Sequence, residues 1–263
     1  MKEKTISYHT GTNKNYKAAH NRRDYKEKWP AHIDRSRTAL NITMADESLA
    51  DAYHRLFDEA IEKYNAKQTR SDRIIKNYLK LLQKSEKRSW VFETIVQFGD
   101  KDNTPEDNAV GVAVLQQYVK DFQKRNPQIS VIGAYIHLDE TTPHLHLDWI
   151  SFATNKGQNA RGPELVASLD KALWAQGYPE AKNRHDTPQK RWMDDERKAF
   201  DELCRARGYE VVHPEVGKGV EHLAIIEYKN QQEQKKLDAL QKKIAEAEEQ
   251  YRQLQLKLQA LEN

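Results

Sequence analysis

His137-Leu-Asp-Glu-Thr-Thr-Pro-His-Leu-His146 places three imidazoles and two carboxylates within one short stretch. The runs on either side, residues 130–136 and 147–152, are rich in β-branched and aromatic residues and read as strands. Between them, residues 139–143 form a turn-prone cluster whose proline fixes one backbone angle. This pattern predicts an antiparallel pair in which His137 ends the first strand and His144 opens the second. Side chains alternate faces along a strand, so His144 and His146 share a face, with Leu145 opposite. His137 joins them from the neighbouring strand, giving a facial three-histidine metal site. Neutral imidazole is the commonest side-chain metal ligand, and Asp139 and Glu140 can orient such ligands or accept protons. A thiolate-rich structural zinc site is excluded, because Cys204 is the single cysteine.

A cation held by three neutral ligands keeps its charge and its open positions. It suits polarising a phosphodiester oxygen and stabilising the charge that develops on displacement. A nucleophile must then come from elsewhere. His20 and Tyr25 lie together in a basic stretch, and both residue types form covalent intermediates.

The rest of the chain must position these groups. Its 263 residues have room for one large domain, or a domain and an extension. The formal net charge is only +3, but residues 1–42 carry ten Lys and Arg against four Asp and Glu. Such a basic end suits a polyanion such as nucleic acid. Residues 33–42 are rich in Arg, Ser, Thr and Asn and poor in apolar periodicity, so they read as a DNA-facing segment. Asn21, Arg23, Arg35, Arg37 and Asn41 are the expected DNA contacts. The single cysteine suits a reducing cytosol. The apolar run at residues 110–115 is too short to span a bilayer, and the charged N-terminus lacks a signal-peptide core.

Apolar spacing predicts helices over residues 48–65, 72–83, 109–124, 163–175 and 190–207, and strands over 5–9 and 90–98. Gly217-Lys-Gly219 marks the expected end of the globular part, dividing a domain at 1–216 from an extension at 220–263. There Leu237, Leu240, Ile244, Ala247, Tyr251, Leu254, Leu258 and Leu261 recur at heptad spacing. The pattern predicts a coiled coil and a homo-oligomer, against the alternative of one helix folded back on the domain. His185 and His213 are single histidines in polar surroundings and carry no assigned role.

The signature around His144, with His20-Asn-Arg-Arg23 and Ile33-Asp-Arg-Ser-Arg-Thr-Ala-Leu-Asn41 upstream, resembles the MobV-type relaxases. These plasmid recombination and mobilisation enzymes fall within the HUH endonuclease class. The resemblance is firm over residues 5–155 and extends loosely to about 228. It implies an α+β fold, a central antiparallel sheet with flanking helices, here followed by the C-terminal coiled-coil helix. It implies nicking of one DNA strand at a plasmid transfer origin, with a covalent protein–5′-phosphate intermediate. By the same resemblance His137, His144 and His146 hold manganese or magnesium, His20 is the nucleophile and Glu140 the active-site acid. Tyr25 is the alternative nucleophile. Imidazoles alone would equally suit zinc, iron or nickel. Relatives often carry Leu-Asn-Tyr where this chain reads Leu40-Asn41-Ile42, so a tyrosine is missing there. Two other readings differ in class: a small-molecule metal hydrolase, which leaves the Arg/Asn-rich segment unused, and a non-catalytic DNA-binding oligomer.

Overall fold

The computed structural model describes residues 2–12, 16–26, 28–86, 88–100, 102–156 and 161–212. In the tail it describes residues 234, 237, 238, 240–248, 251, 252 and 255. The chain divides into two compact units, Met1–Pro214 and Glu215–Asn263.

The first unit is mixed α+β, built on a six-stranded sheet. Its strands are β1 (Lys2–Thr12), β2 (Ile42–Asp46), β3 (Phe92–Phe98), β4 (Ile129–His137), β5 (His144–Ser151) and β8 (Tyr209–Val212). They lie in the order β2-β4-β5-β3-β1-β8. All neighbours are antiparallel except β1 and β8, which pair in parallel. A separate small pair joins β6 (Ala153–Thr154) to β7 (Leu165–Val166). The expected β4–β5 hairpin forms with His137 opposite His144. β5 is buried along its whole length, because both its faces are covered and both its edges are paired.

Helices cover the two faces. On one lie α4 (Pro105–Arg125), α5 (Leu169–Ala175) and α6 (Pro188–Arg205), packed on Leu145, Leu147, Trp149, Val96 and Phe98. Thr104 starts α4 with a reciprocal capping box to Asp107 and Pro105 at the first turn. Gly111 lets α4 lie close on β3, since a Cβ there would sit 2.6 Å from the Phe98 ring. On the other face α2 (Leu49–Asn65) and α3 (Tyr78–Gln83) bury Phe57, Ile61 and Leu82 against Val91, Ile132 and Ile150. This second layer covers only part of its face. The short α1 (Ala18–Asn21) and a 3₁₀ turn over Arg35–Leu40 lie in the N-terminal segment.

The structure corrects two expected helices and adds four short strands. Residues 72–83 are not one helix, because Asn65 holds Ile75 extended through its backbone N–H and carbonyl. Asn77 then caps a fresh start at Tyr78. Residues 163–175 are helical only from Leu169, capped by Ser168. Strands β2, β6, β7 and β8 were not expected; at two to five residues each they are too short to show a period. In the tail the described residues are helical, with Leu237, Leu240, Ile244 and Tyr251 exposed. Leu254, Leu258, Leu261, His213 and the Gly217-Lys-Gly219 break lie outside the described residues. Among the described residues, no helix is long and apolar enough to cross a membrane.

One buried polar hub ties α4 to α6. Glu196 accepts from Arg125 (2.7 and 3.0 Å), Asn126 (2.8 Å) and Tyr118 (2.7 Å), and Tyr118 in turn meets Tyr8 at 2.9 Å. Removing the carboxylate strands a half-buried guanidinium and two buried donors. Glu196→Ala should therefore lower unfolding stability by about 3–5 kcal/mol, read from urea denaturation. A loss within error of an exposed control such as Glu202→Ala would show that the hub carries no such weight.

Candidate metal and phosphoryl-transfer site

The hairpin brings the three expected ligands together. Ring centroids of His137, His144 and His146 lie 4.6–5.1 Å apart, and all three residues are buried. Strand alternation puts His144, His146 and Asp148 on one face of β5. The His20 ring joins this face, 5.1 Å from His146 and 5.6 Å from His137.

Second partners decide which nitrogen of each ring is available. His137 Nε2 donates to the Asn21 carbonyl at 2.9 Å, and His144 Nδ1 donates to the Thr142 carbonyl at 2.9 Å. His146 Nδ1 donates to Glu93 Oε1 at 2.7 Å. Two carbonyls and a carboxylate can only accept, so His137 Nδ1, His144 Nε2 and His146 Nε2 carry lone pairs. His137 Nδ1 and His144 Nε2 face each other at 3.3 Å, and His146 Nε2 is buried without a partner. Facing lone pairs and an orphaned ring nitrogen are unfavourable unless a cation fills the space, so the donor set fits a metal ion. Among the described residues, two overlapping groups have ligand atoms within 4.8 Å of one another: His20, His137 and His146, and His137, Glu140 and His144. The expected triad is divided between them, with His137 common to both.

Electrostatics keep the His137, His146 and His20 rings neutral. Burial, and then the neighbouring His146, push His137 down to about 2. Burial, and then His144, hold His146 well below the ordinary value. His20 is lowered by burial and by the adjacent Arg23. Below them, Glu93 and Asp148 face each other across β3 and β5. Burial raises both carboxyls, Asp148 to about 7, and the Asn21 amide donates to each at 2.9–3.0 Å.

The N-terminal segment is held down by charge. Asp139 is fully buried and accepts two hydrogen bonds from Arg23, at 2.6 and 3.0 Å. It also accepts from Thr38 at 3.0 Å and Asn41 at 2.8 Å, while its carbonyl takes the Asp34 N–H at 2.7 Å. Burial alone would raise the Asp139 carboxyl; Arg23, Asn41 and Thr38 outweigh it and hold it at about 2. Arg23 also donates to Glu140 at 2.7 Å and adopts a left-handed backbone with φ 58°. That conformation costs a non-glycine residue about 1–2 kcal/mol, and the ion pairs hold it there. Glu140 Oε1 lies 3.9 Å from His20 Nε2 and 3.7 Å from His144 Nε2. Burial would raise Glu140, but His144 and Arg23 outweigh it, so the carboxyl titrates below its ordinary range.

Several expected DNA contacts are turned inward. Asn21 and Arg23 are buried, committed to Glu93 and Asp148 and to Asp139 and Glu140, so they do not face a surface strand. Asn41 is used from both ends, donating to Asp139 and accepting from the Leu138 N–H at 2.7 Å. Arg37 reaches the Glu140 carbonyl at 2.5 Å and pairs with Asp34 at 3.2 Å. Arg35 does face solvent, over the Trp29 ring at 5.1 Å. Tyr25 places its oxygen 2.6 Å from His20 Nδ1. Glu93, Asp148 and His32 were not anticipated. Asp148 follows His144 and His146 at the same two-residue step, and Glu93 is a lone acid in an apolar strand; both signals were readable.

The sequence model of a family described as plasmid recombination enzyme (Mob_Pre) matches residues 25–230. A plasmid recombination enzyme type 2 of Staphylococcus aureus strain Mu50 is 25% identical over 228 residues, 86% of this chain and 44% of the relative. A plasmid recombination enzyme of Bacillus sp is 24% identical over 227 residues, 86% of this chain and 45% of the relative. The chain thus spans less than half the length of these curated relatives. Among solved structures, a Mn-bound MobM relaxase domain (MOBV; Mob_Pre) bound to plasmid pMV158 oriT DNA is 17% identical. The match covers 86% of this chain and 98% of that chain, with a TM-score of 0.44.

The Asp139 clamp has a pH signature. Its folded pKa of about 2 lies below the ordinary 3.8, so its stabilisation is complete above the latter and is lost as pH falls between the two. Asp139→Asn should lower stability at neutral pH and flatten the acid limb of the urea midpoint measured from pH 7 to pH 2. An acid limb identical to that of the parent would remove Asp139 from this role.

Proposed function

We propose, since this chain belongs to the plasmid recombination enzyme family, that it carries the DNA-nicking centre of such an enzyme. The observation that carries this reading is a neutral His20 imidazole set against three histidines whose free nitrogens converge. His20 lies just upstream of the family match, so its role rests on this geometry and on the motif resemblance.

Arg23 Nη1 lies 3.3 Å from His20 Nε2, and arginine can only donate. Nε2 therefore carries the lone pair, and Nδ1–H donates to the Tyr25 oxygen, which fixes the ring. That lone pair attacks the scissile phosphorus and the bond to the 3′ oxygen breaks. The 3′ oxygen takes a proton from solvent and leaves as a hydroxyl. The 5′ phosphate stays on His20 as a phosphoramidate, and the Nδ1 proton passes out along Tyr25. Glu140, ionised at neutral pH, holds Arg23 beside the reacting phosphate and is a nearby proton acceptor. A divalent cation, manganese or magnesium, held by His137, His144 and His146 would supply positive charge to the phosphate oxygens.

The 2.6 Å contact with His20 also favours a second reading, in which Tyr25 attacks with His20 as its base. Burial raises the Tyr25 phenol, so it keeps its proton at neutral pH, and its ring packs on Trp29 at 5.1 Å. Both points favour His20. The expected substrate is plasmid transfer-origin DNA, presented as a single strand or hairpin.

Incubation with supercoiled plasmid carrying its own origin and Mn²⁺, followed by an SDS gel, should yield nicked DNA with protein attached. His20→Ala, His144→Ala and His146→Ala should each abolish it. The adduct should be acid-labile, as a phosphoramidate is; an acid-stable adduct mapped to Tyr25, still formed by His20→Ala, would reverse the assignment. Arg35→Ala should flatten the dependence of log affinity on log salt by about 0.7–0.9 for one lost phosphate contact. An unchanged slope would take Arg35 off the DNA.

A further inference from the structure

We infer that His32 hands over the proton taken up by the departing 3′ oxygen, from a place in the cleft one phosphate's width from His20. This rests on the nicking reading and adds a second imidazole to the reaction.

Backbone bonds fix where His32 stands. Pro30 and Ile33 close a turn around it, the Ile33 N–H donating to the Pro30 carbonyl at 3.1 Å. Ile33 is buried, and the next N–H, that of Asp34, donates to the Asp139 carbonyl at 2.7 Å. The residue is thereby tied to the turn between β4 and β5, while its side chain stays 59% exposed. Its ring centroid lies 6.4 Å from that of His20, with the two planes 39° apart. Glu140 serves both rings, one oxygen 3.9 Å from His20 Nε2 and the other 3.9 Å from His32 Nε2. His20, His32 and Glu140 line one cleft of about 370 Å³ together with His144 and His146.

The other groups in reach are poor proton donors to the leaving oxygen. Arg23 does not give up a proton in a protein, and Glu140 is already ionised at neutral pH. The Tyr25 phenol sits at Nδ1, the far nitrogen of the His20 ring. An imidazole is the side chain that exchanges its proton near neutral pH, and the exposed His32 can refill from solvent. The ionised carboxylate beside Nε2 favours the tautomer with its proton there. The spacing fits as well. Attack from about 3–3.5 Å, with a donor about 2.6–3.2 Å from the departing oxygen, asks for two nitrogens roughly 7 Å apart. As His20 Nε2 bonds to phosphorus, the electron pair of the P–O bond passes to the 3′ oxygen. The His32 imidazolium gives that oxygen its Nε2 proton, so it leaves as a hydroxyl, and the neutral ring takes a new proton from water. In rejoining, the same ring accepts the proton of the attacking 3′ hydroxyl.

The test uses the full chain, Mn²⁺ and synthetic strands of its plasmid's own origin, made once primer extension has mapped the nick. Two strands differ only in the bridging 3′ atom of the cut bond, oxygen in one and sulfur in the other. A departing thiolate is far less basic than an alkoxide and needs no proton. His32→Ala should cut the oxygen strand about 100-fold more slowly and the sulfur strand at the parent's rate. Its Mn²⁺ affinity by EPR and its circular dichroism spectrum should be unchanged. His32→Gln, which keeps a donor but has no proton to give, should match it. Equal losses on both strands, an oxygen strand cut at the parent's rate, or recovery in His32→Gln overturns the inference and leaves the nicking reading standing. A parent that neither nicks the origin plasmid nor attaches to it overturns the nicking reading, and the inference falls with it.

Discussion

The site depends on one buried carboxylate. Asp139 sits at the start of the β4–β5 turn and is contacted by Arg23, Thr38, Asn41 and the Asp34 amide. The segment it holds contains a four-residue helix and a six-residue 3₁₀ turn. Neither could persist alone, because helix nucleation costs more than one or two turns return. Charge substitutes for packing there. The bidentate geometry of Arg23 makes the pair directional, so it fixes where His20 stands as well as that it stays. A buried pair of this kind is weak evidence for global stability, since its desolvation cost is large. Its better-supported effect here is positional.

The sheet supplies the complementary rigidity. β5 has neighbours on both sides and helices or site residues on both faces, so its histidines cannot shift register without moving the core. Leu145, Leu147 and Trp149 occupy the alternate positions in the large hydrophobic cluster. The same alternation that anchors the strand therefore points His144, His146 and Asp148 the other way. Burial that stabilises the core also strips solvent from the His137 and His146 rings and keeps them unprotonated.

Much of this was legible in the residues, and what was not has physical reasons. The hairpin and its histidines follow from a two-residue period and a proline-containing turn, both local signals. Helices α2, α4 and α6 follow from long apolar stripes. The inward turn of Asn21 and Arg23 was hidden, because Arg and Asn read alike whether they meet phosphate or a buried carboxylate over a hundred residues away. Only the fold brings Arg23 to Asp139 and Asn21 to Asp148. The break before α3 depends on Asn65 reaching across to Ile75, again a contact no periodicity records. The parallel strand β8 is short and owes its state to its neighbour β1.

The bond from His137 Nε2 to the Asn21 carbonyl joins two things that could have been separate. His137 offers a lone pair from Nδ1 only while its opposite nitrogen donates, and the acceptor is the last residue of the helix that bears His20. Lift that helix away and the ring loses the partner that fixes its tautomer, so a cation loses a ligand. Linkage runs both ways by the same free energy. A cation that prefers the ordered tautomer draws the helix down onto the sheet, and with it the His20 imidazole. Cation binding at the histidine cluster and docking of the α1 helix are then a single equilibrium, and a cluster without its cation holds that helix less firmly.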